Sequence, residues 1–198
     1  MKLVIHHIPH TCSRIVMNLL DNNLYKYCKY KCNVYNSETI DYIIMRDPVE
    51  RLYKEYQDMY KHYKQFKTMK YDFIVPESSF VSLGTYIGNE SRCNVFCKHL
   101  MNYRDFNKIF TYEDYIELLF KLKNCIIDFY TLKLDFKNLE NFTNINFKKY
   151  LPNYNDFNKT MKHYNKPNNN YFIQNDTMFN LQNANFFDIK LFKELNTR

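Results

Sequence analysis

The 198-residue chain contains two glycines, Gly84 and Gly88, and no tryptophan. So little glycine leaves no Gly-x-x-x-x-Gly-Lys-Ser/Thr loop, which argues against a small nucleotide kinase. No stretch approaches the roughly 20 apolar residues of a membrane-spanning helix, so no membrane segment is expected. The opening residues Met1-Lys2-Leu3-Val4-Ile5 run directly into an apolar segment and leave no room for an apolar leader. The expectation is a soluble protein of the cytosol. Acidic residues are short as well, 21 against 28 Lys and Arg. The resulting net charge of +7 points to an anionic partner: a nucleotide, nucleic acid, a sulfated or phosphorylated substrate, or a membrane surface.

Six cysteines are present, at 12, 28, 32, 93, 97 and 125. Cys28/Cys32 and Cys93/Cys97 form two Cys-x-x-x-Cys pairs, but zinc-knuckle spacing and its turn glycines are missing. Free thiols in a reducing compartment are expected, with no metal. The four Asn-x-Ser/Thr sequons at Asn89, Asn141, Asn158 and Asn175 are chance matches in an Asn-rich chain.

What is abundant is apolar and aromatic: 45% hydrophobic and 18% aromatic residues, enough for one domain spanning residues 1–198 with a real core. Residues 3–8 read as a strand, and Thr11 to Leu20 as a helix with Ile15, Val16, Leu19 and Leu20 on one face. The polar, Tyr-rich stretch from Asp21 to Glu38 reads as a loop with room for a short strand. Residues 41–45 form the next strand. Pro48 fits the first turn of a helix continuing to about Lys64, with Val49, Leu52, Tyr56, Met59 and Tyr63 along its buried face.

Residues 65–91 read as irregular. Helices follow at about 93–102 and 112–123, the second capped by Thr111 with Asp114 three residues on. Residues 125–130 form a third strong strand, Asp135 to Phe142 a short helix, and Pro152 to Asn170 a loop. The tail from Asn183 to Asn196 is helical, with Phe187, Leu191, Phe192 and Leu195 inward. Strands separated by helices imply an α/β fold: a small parallel sheet flanked by helices. Ligands of such folds bind at the carboxyl ends of the strands.

Two segments fall at such ends. Val4-Ile5-His6-His7-Ile8-Pro9-His10-Thr11 and Tyr42-Ile43-Ile44-Met45-Arg46-Asp47-Pro48-Val49-Glu50-Arg51 each read as a buried strand breaking into a helix. Backbone N–H groups and the dipole at a helix start after Thr11 would hold one anion. Arg46 can fork onto another with two charge-assisted bonds. Two anion sites on neighbouring parallel strands suit a nucleotide with phosphates at both ends. Asp47 reads as the cap of the following helix.

His7-Ile8-Pro9-His10-Thr11 resembles the first phosphate-binding loop of the carbohydrate sulfotransferases, His-Ile-Pro-Lys-Thr-Ala-Gly-Thr-Ser. Arg46-Asp47-Pro48-Val49-Glu50-Arg51 with Tyr56 is similar to their second signature, Arg-Asp-Pro-x-x-Arg-x-x-Ser-x-Tyr. Asn158-Lys159-Thr160, after Leu151-Pro152, resembles a late Asn-Lys-Ser segment, and Asn185 to Leu195 resembles the family's C-terminal helix. The resemblance implies a P-loop-like sulfotransferase fold. It also implies transfer of a sulfuryl group from 3′-phosphoadenosine 5′-phosphosulfate (PAPS) to a hydroxyl, with a glycan acceptor and no metal. Pro9, His10, Thr11, Cys12, Ser13 and Arg14 would then surround the 5′-phosphosulfate, Arg46 and Lys54 the 3′-phosphate, and Lys159 a further donor contact. It places relatives in the Golgi lumen, whereas the missing anchor favours the cytosol.

The departures are specific. His10 replaces the lysine that neutralises the leaving phosphate, and a histidine does so only as imidazolium. Ser13, Arg14 and Ile15 replace Gly, Thr and Ser, and Lys54 replaces the serine of the second signature. Cations thus stand where the family has hydroxyl donors. Transfer also needs a base. His7 is the candidate, since His62 lies far along its helix, and Glu77 and Glu90 sit in the irregular region bordering the acceptor. His99 and His163 read as core or surface residues. The rival expectation is a catalytically inactive protein of the same fold that binds a nucleotide, a polyanion or a protein partner. A nucleic-acid role would show steep salt dependence without preference for a 3′-phosphate.

Overall fold

The computed structural model describes residues 2–11, 13, 25–28, 39–66, 82–130, 135–144, 146 and 175–197. Its centre is a sheet of four parallel strands: β1 (Lys2–His6), β2 (Tyr25–Cys28), β3 (Thr39–Arg46) and β4 (Ile126–Tyr130), in the order β2-β1-β3-β4. β3 is central and buried along nearly its whole length, as strands covered on both faces are. The chain leaves β1 toward β2 on one side and β3 on the other, so the strand order reverses between β1 and β3. Clefts in open α/β sheets form at such a reversal.

The helices are α1 (Pro48–Phe66), α2 (Leu83–Ile87), α3 (Val95–Leu100), α4 (Tyr112–Lys121), α5 (Lys137–Thr143), α6 (Asn175–Ala184) and α7 (Phe186–Asn196), with 3₁₀ turns at Glu90–Arg92 and Leu122–Asn124. Strand alternation assigns two faces to the sheet. Ile43 and Met45 pack with Phe96, Leu100, Leu118, Leu191 and Leu195, so α3, α4 and α7 cover one face. Tyr42, Ile44 and Arg46 point the other way, in register with Ile126, Asp128 and Tyr130. There Asp128 accepts from the Tyr42 hydroxyl (3.0 Å) and from the amides of Asn138 (2.8 Å) and Leu139 (3.3 Å), which docks the start of α5 on β4. A second core joins Leu52 and Met59 of α1 to Tyr86, Ile87 and Leu181.

Local chemistry sets most element ends. The Asp47 carboxylate accepts from the amides of Val49 (2.9 Å) and Glu50 (3.0 Å), and Pro48 opens α1 where no N–H partner is needed. Thr111 and Asp114 close a full capping box on α4. β1 stops at His6, short of the expected residue 8, because Thr11 folds back on the Ile8 carbonyl through its amide (3.4 Å) and hydroxyl (2.8 Å). α2 and a 3₁₀ turn occupy part of the segment expected to be irregular, started by the Ser82 hydroxyl on the Thr85 amide. α3 begins at Val95, later than expected, because Asn94 takes left-handed backbone. The expected tail helix from Asn183 is broken at Asn185, which separates α6 from α7. Leu191 and Leu195 are buried as expected, and Phe187 and Phe192 are half-buried against the same core. Among the described residues no helix is long and apolar enough to cross a membrane. The loop at Pro152 to Asn170 lies outside the described residues.

Candidate functional site

The carboxyl ends of β1 and β3 lie side by side, so the two segments singled out in the sequence meet. After His6 the chain turns through Ile8 and Pro9, both buried, to His10, whose φ of 65° is left-handed. Side chains other than Gly, Asn, Asp and His rarely adopt that conformation. Successive amides around a left-handed residue converge into a nest for an anion. The loop is braced from below: Thr11 holds the Ile8 carbonyl, and His7 Nδ1 lies 2.6 Å from the Ser13 hydroxyl. His7, Thr11 and Ser13 are all buried.

The expected phosphate donors therefore have different situations. Thr11, expected beside the 5′-phosphosulfate, donates its hydroxyl to the Ile8 carbonyl instead, because the turn leaves that carbonyl without a ladder partner. His7, read as the base, is engaged with Ser13. His10 is half-buried, and its carbonyl accepts from Arg46 Nη1 at 3.4 Å. Arg46 lies over the Tyr130 ring, its Cζ 5.5 Å from the centroid, and its Nε is 3.5 Å from the Glu50 carboxylate. With Arg46 just 4% exposed, its guanidinium forms the seam between the two strand ends. Lys54 is half-buried on α1, and Glu90 is exposed near Lys98. Cys12, Arg14, Ile15 and Lys159 lie outside the described residues, as do Glu77 and His163 and the side chain of His62.

Within electrostatic reach of this loop is a buried charge cluster that the sequence reading did not assign. Glu55 accepts from Arg51 Nη1 (2.6 Å), Arg92 Nη1 (2.7 Å) and the Tyr86 hydroxyl (2.7 Å). All four residues are at most 1% exposed. Burial pushes the Glu55 carboxyl up, but Arg51 and Arg92 outweigh it and hold the group well below the usual carboxylate range. His10 lowers it further, less than either arginine does, so the cluster lies within electrostatic reach of the phosphate-loop candidate. His99 lies alongside: burial first, then the Arg51 charge, push its imidazole down to about 3. A signal for the cluster does exist in the sequence. Arg51 and Glu55 stand four apart, interleaved with the apolar face of Leu52 and Met59, where a polar pair is buried with a partner or not at all.

Across from the site, His6 Nε2 pairs with Asp41 at 2.8 Å between β1 and β3, a buried link beneath the strand ends. Cys93, Cys97 and Cys125 are free thiols. Burial pushes Cys93 up to about 11 and Cys125 up to about 12, so neither is a nucleophile at neutral pH. Cys28 and Cys32, the other half of the zinc alternative, have no described side chains. Comparison with family models, with curated proteins and with solved structures returns no match for this chain.

Proposed function

We propose that the protein binds a nucleotide with phosphates at its 5′ and 3′ ends across the carboxyl ends of β1 and β3. We further propose that it transfers a sulfuryl group from PAPS to a carbohydrate hydroxyl, on a P-loop-like sulfotransferase fold. The observation that carries this reading is the Arg46 guanidinium reaching the His10 carbonyl, which joins the two candidate anion sites at the reversal of strand order. PAPS, when bound, supplies the sulfuryl group and leaves as the 3′,5′-bisphosphate. His10 as imidazolium and the amides of its turn would steady the negative charge of the leaving phosphate. Arg46 and Lys54 would hold the 3′-phosphate. Lys159, Cys12 and Arg14 keep the roles implied by the sequence resemblance.

A second reading is favoured by a separate observation. The Thr11 hydroxyl and His7 are both committed inside the loop, which suits a protein that binds the nucleotide without turning it over. Calorimetric titration with 3′-phosphoadenosine 5′-phosphate tests both readings. Saturable binding, weakened by Arg46→Ala, is expected, and no binding at millimolar nucleotide overturns both. Radiolabelled sulfate transfer to glycans separates them: turnover abolished by His10→Ala identifies the enzyme, and binding without turnover identifies the inactive form.

A further inference from the structure

Arg51 is 0% exposed, yet of its guanidinium only Nη1 has an acceptor, the Glu55 carboxylate. Its Nε and Nη2 have no hydrogen-bond partner among the described residues. The same holds for Nε2 of His99, a buried ring packed on Phe106 at 4.7 Å between centroids. Buried donors on a charged group are costly to leave unmet, by more than a neutral group would be. Two such groups in one interior region point to a shared missing acceptor.

The surroundings narrow its chemistry. Glu55 bridges Arg51 to Arg92 just ahead of α3, Asp188 caps the start of α3, which carries His99, and Arg51 is the charge that acts most strongly on both His99 and Asp188, so all share one interior region. Arg92 adds a second guanidinium through Glu55. Glu55 has both oxygens occupied by Arg51, Arg92 and Tyr86. Asp188 has both oxygens turned to the amides of Phe96 (2.9 Å) and Cys97 (2.8 Å). Neither carboxylate therefore serves the open edge of Arg51. That edge is a planar fork of N–H donors, the geometry that matches oxyanions.

We infer a second oxyanion subsite between α1 and α3, formed by Nε and Nη2 of Arg51 with Nε2 of His99, that takes a sulfate or phosphate group. It is distinct from the Arg46 seam and does not depend on the nucleotide reading. An oxyanion here binds neutral His99 as an N–H donor and requires no titration of that ring.

The test is nitrogen NMR of the histidine side chains in the full chain, titrated with inorganic sulfate, inorganic phosphate and 3′-phosphoadenosine 5′-phosphate, against chloride at equal ionic strength. Sulfate or phosphate is expected to shift the His99 Nε2 resonance in wild type and in Arg46→Ala alike. At tenfold excess over its dissociation constant the ion should raise Tm by about 3–5 °C. Arg51→Met should remove both effects. Should that variant fail to fold, His99→Phe must lower the sulfate-induced rise in Tm. A His99 resonance unmoved by either inorganic ion overturns the subsite, as does a response confined to the nucleotide, which would assign the group to the bound nucleotide. Failure of nucleotide binding with a sulfate response at His99 leaves this subsite standing and removes the nucleotide reading alone.

Discussion

Asn94 and Asp188 cap each other's helices. The Asp188 carboxylate accepts from the amides of Phe96 and Cys97 at the start of α3, while Asn94 Oδ1 accepts from the amides of Phe187 (2.9 Å) and Asp188 (3.3 Å) at the start of α7. Asn94 reaches that position by taking a left-handed backbone with φ of 49°. Both residues are buried, so four otherwise orphaned amides are satisfied without water. The exchange ties the C-terminal helix to the helix that carries His99.

Asp188→Ala should therefore cost about 2–4 kcal/mol, more than an exposed cap, because two buried amides lose their acceptor together. Asn94→Ala should cost less, and the double variant less than the sum of the two. Urea denaturation of all four proteins measures the coupling. Strict additivity would show that the two caps act independently.

Glu55→Gln should destabilise the fold by about 3–5 kcal/mol, since it leaves Arg51 and Arg92 buried without a counter-charge. Its carboxyl is held low in the folded chain and near 4.5 in the unfolded one. Its contribution is thus fully present above pH 4.5 and lost as pH falls below it. Acid unfolding of wild type should be steep in that range, and that of Glu55→Gln shallower. Equal slopes would remove the argument.

His99 predicts a pH effect in a different window. Its folded value of about 3 lies below the ordinary 6.5, so the unfolded chain binds the extra proton between them. Stability should rise from about pH 3 to 6.5 and level off above. Between pH 5 and 7, above the Glu55 window, urea midpoints of wild type should climb, whereas those of His99→Gln should climb less. Identical profiles would place His99 in a solvated setting.

Cys93, Cys97 and Cys125 should resist alkylation by iodoacetamide at pH 8 in the folded protein and react fully in urea. Burial keeps all three as thiols, and the thiolate is the nucleophile. Peptide mapping reads the three sites separately. Rapid native labelling at Cys97 would contradict its burial.

Arg46→Lys separates charge from geometry at the seam. Lysine keeps the cation but lacks the planar fork that reaches the His10 carbonyl while lying on Tyr130. Binding of 3′-phosphoadenosine 5′-phosphate should weaken about tenfold with the fold intact by circular dichroism. Unchanged affinity would mean that Arg46 acts as a point charge alone.

Where chemistry is local, residues and structure agree closely. Asp47 with Pro48, and Thr111 with Asp114, announce their helices because a cap contacts amides two or three residues away. The apolar run of β3 announces a covered strand because every position after Thr39 is buried. The break at Asn185 and the delayed start of α3 were not legible. They depend on Asn94 and Asp188, more than ninety residues apart, finding each other.

The candidate site divides along the same line. Its two segments, their order and their place at strand ends follow from residue pattern alone, since hydrophobic periodicity and turn chemistry act over a few residues. Their meeting at the reversal between β1 and β3, the commitment of the Thr11 hydroxyl to the Ile8 carbonyl, and the buried Glu55 cluster are tertiary decisions. Each depends on which buried polar group is left needing a partner once the strands have paired, and that is settled by packing between distant segments.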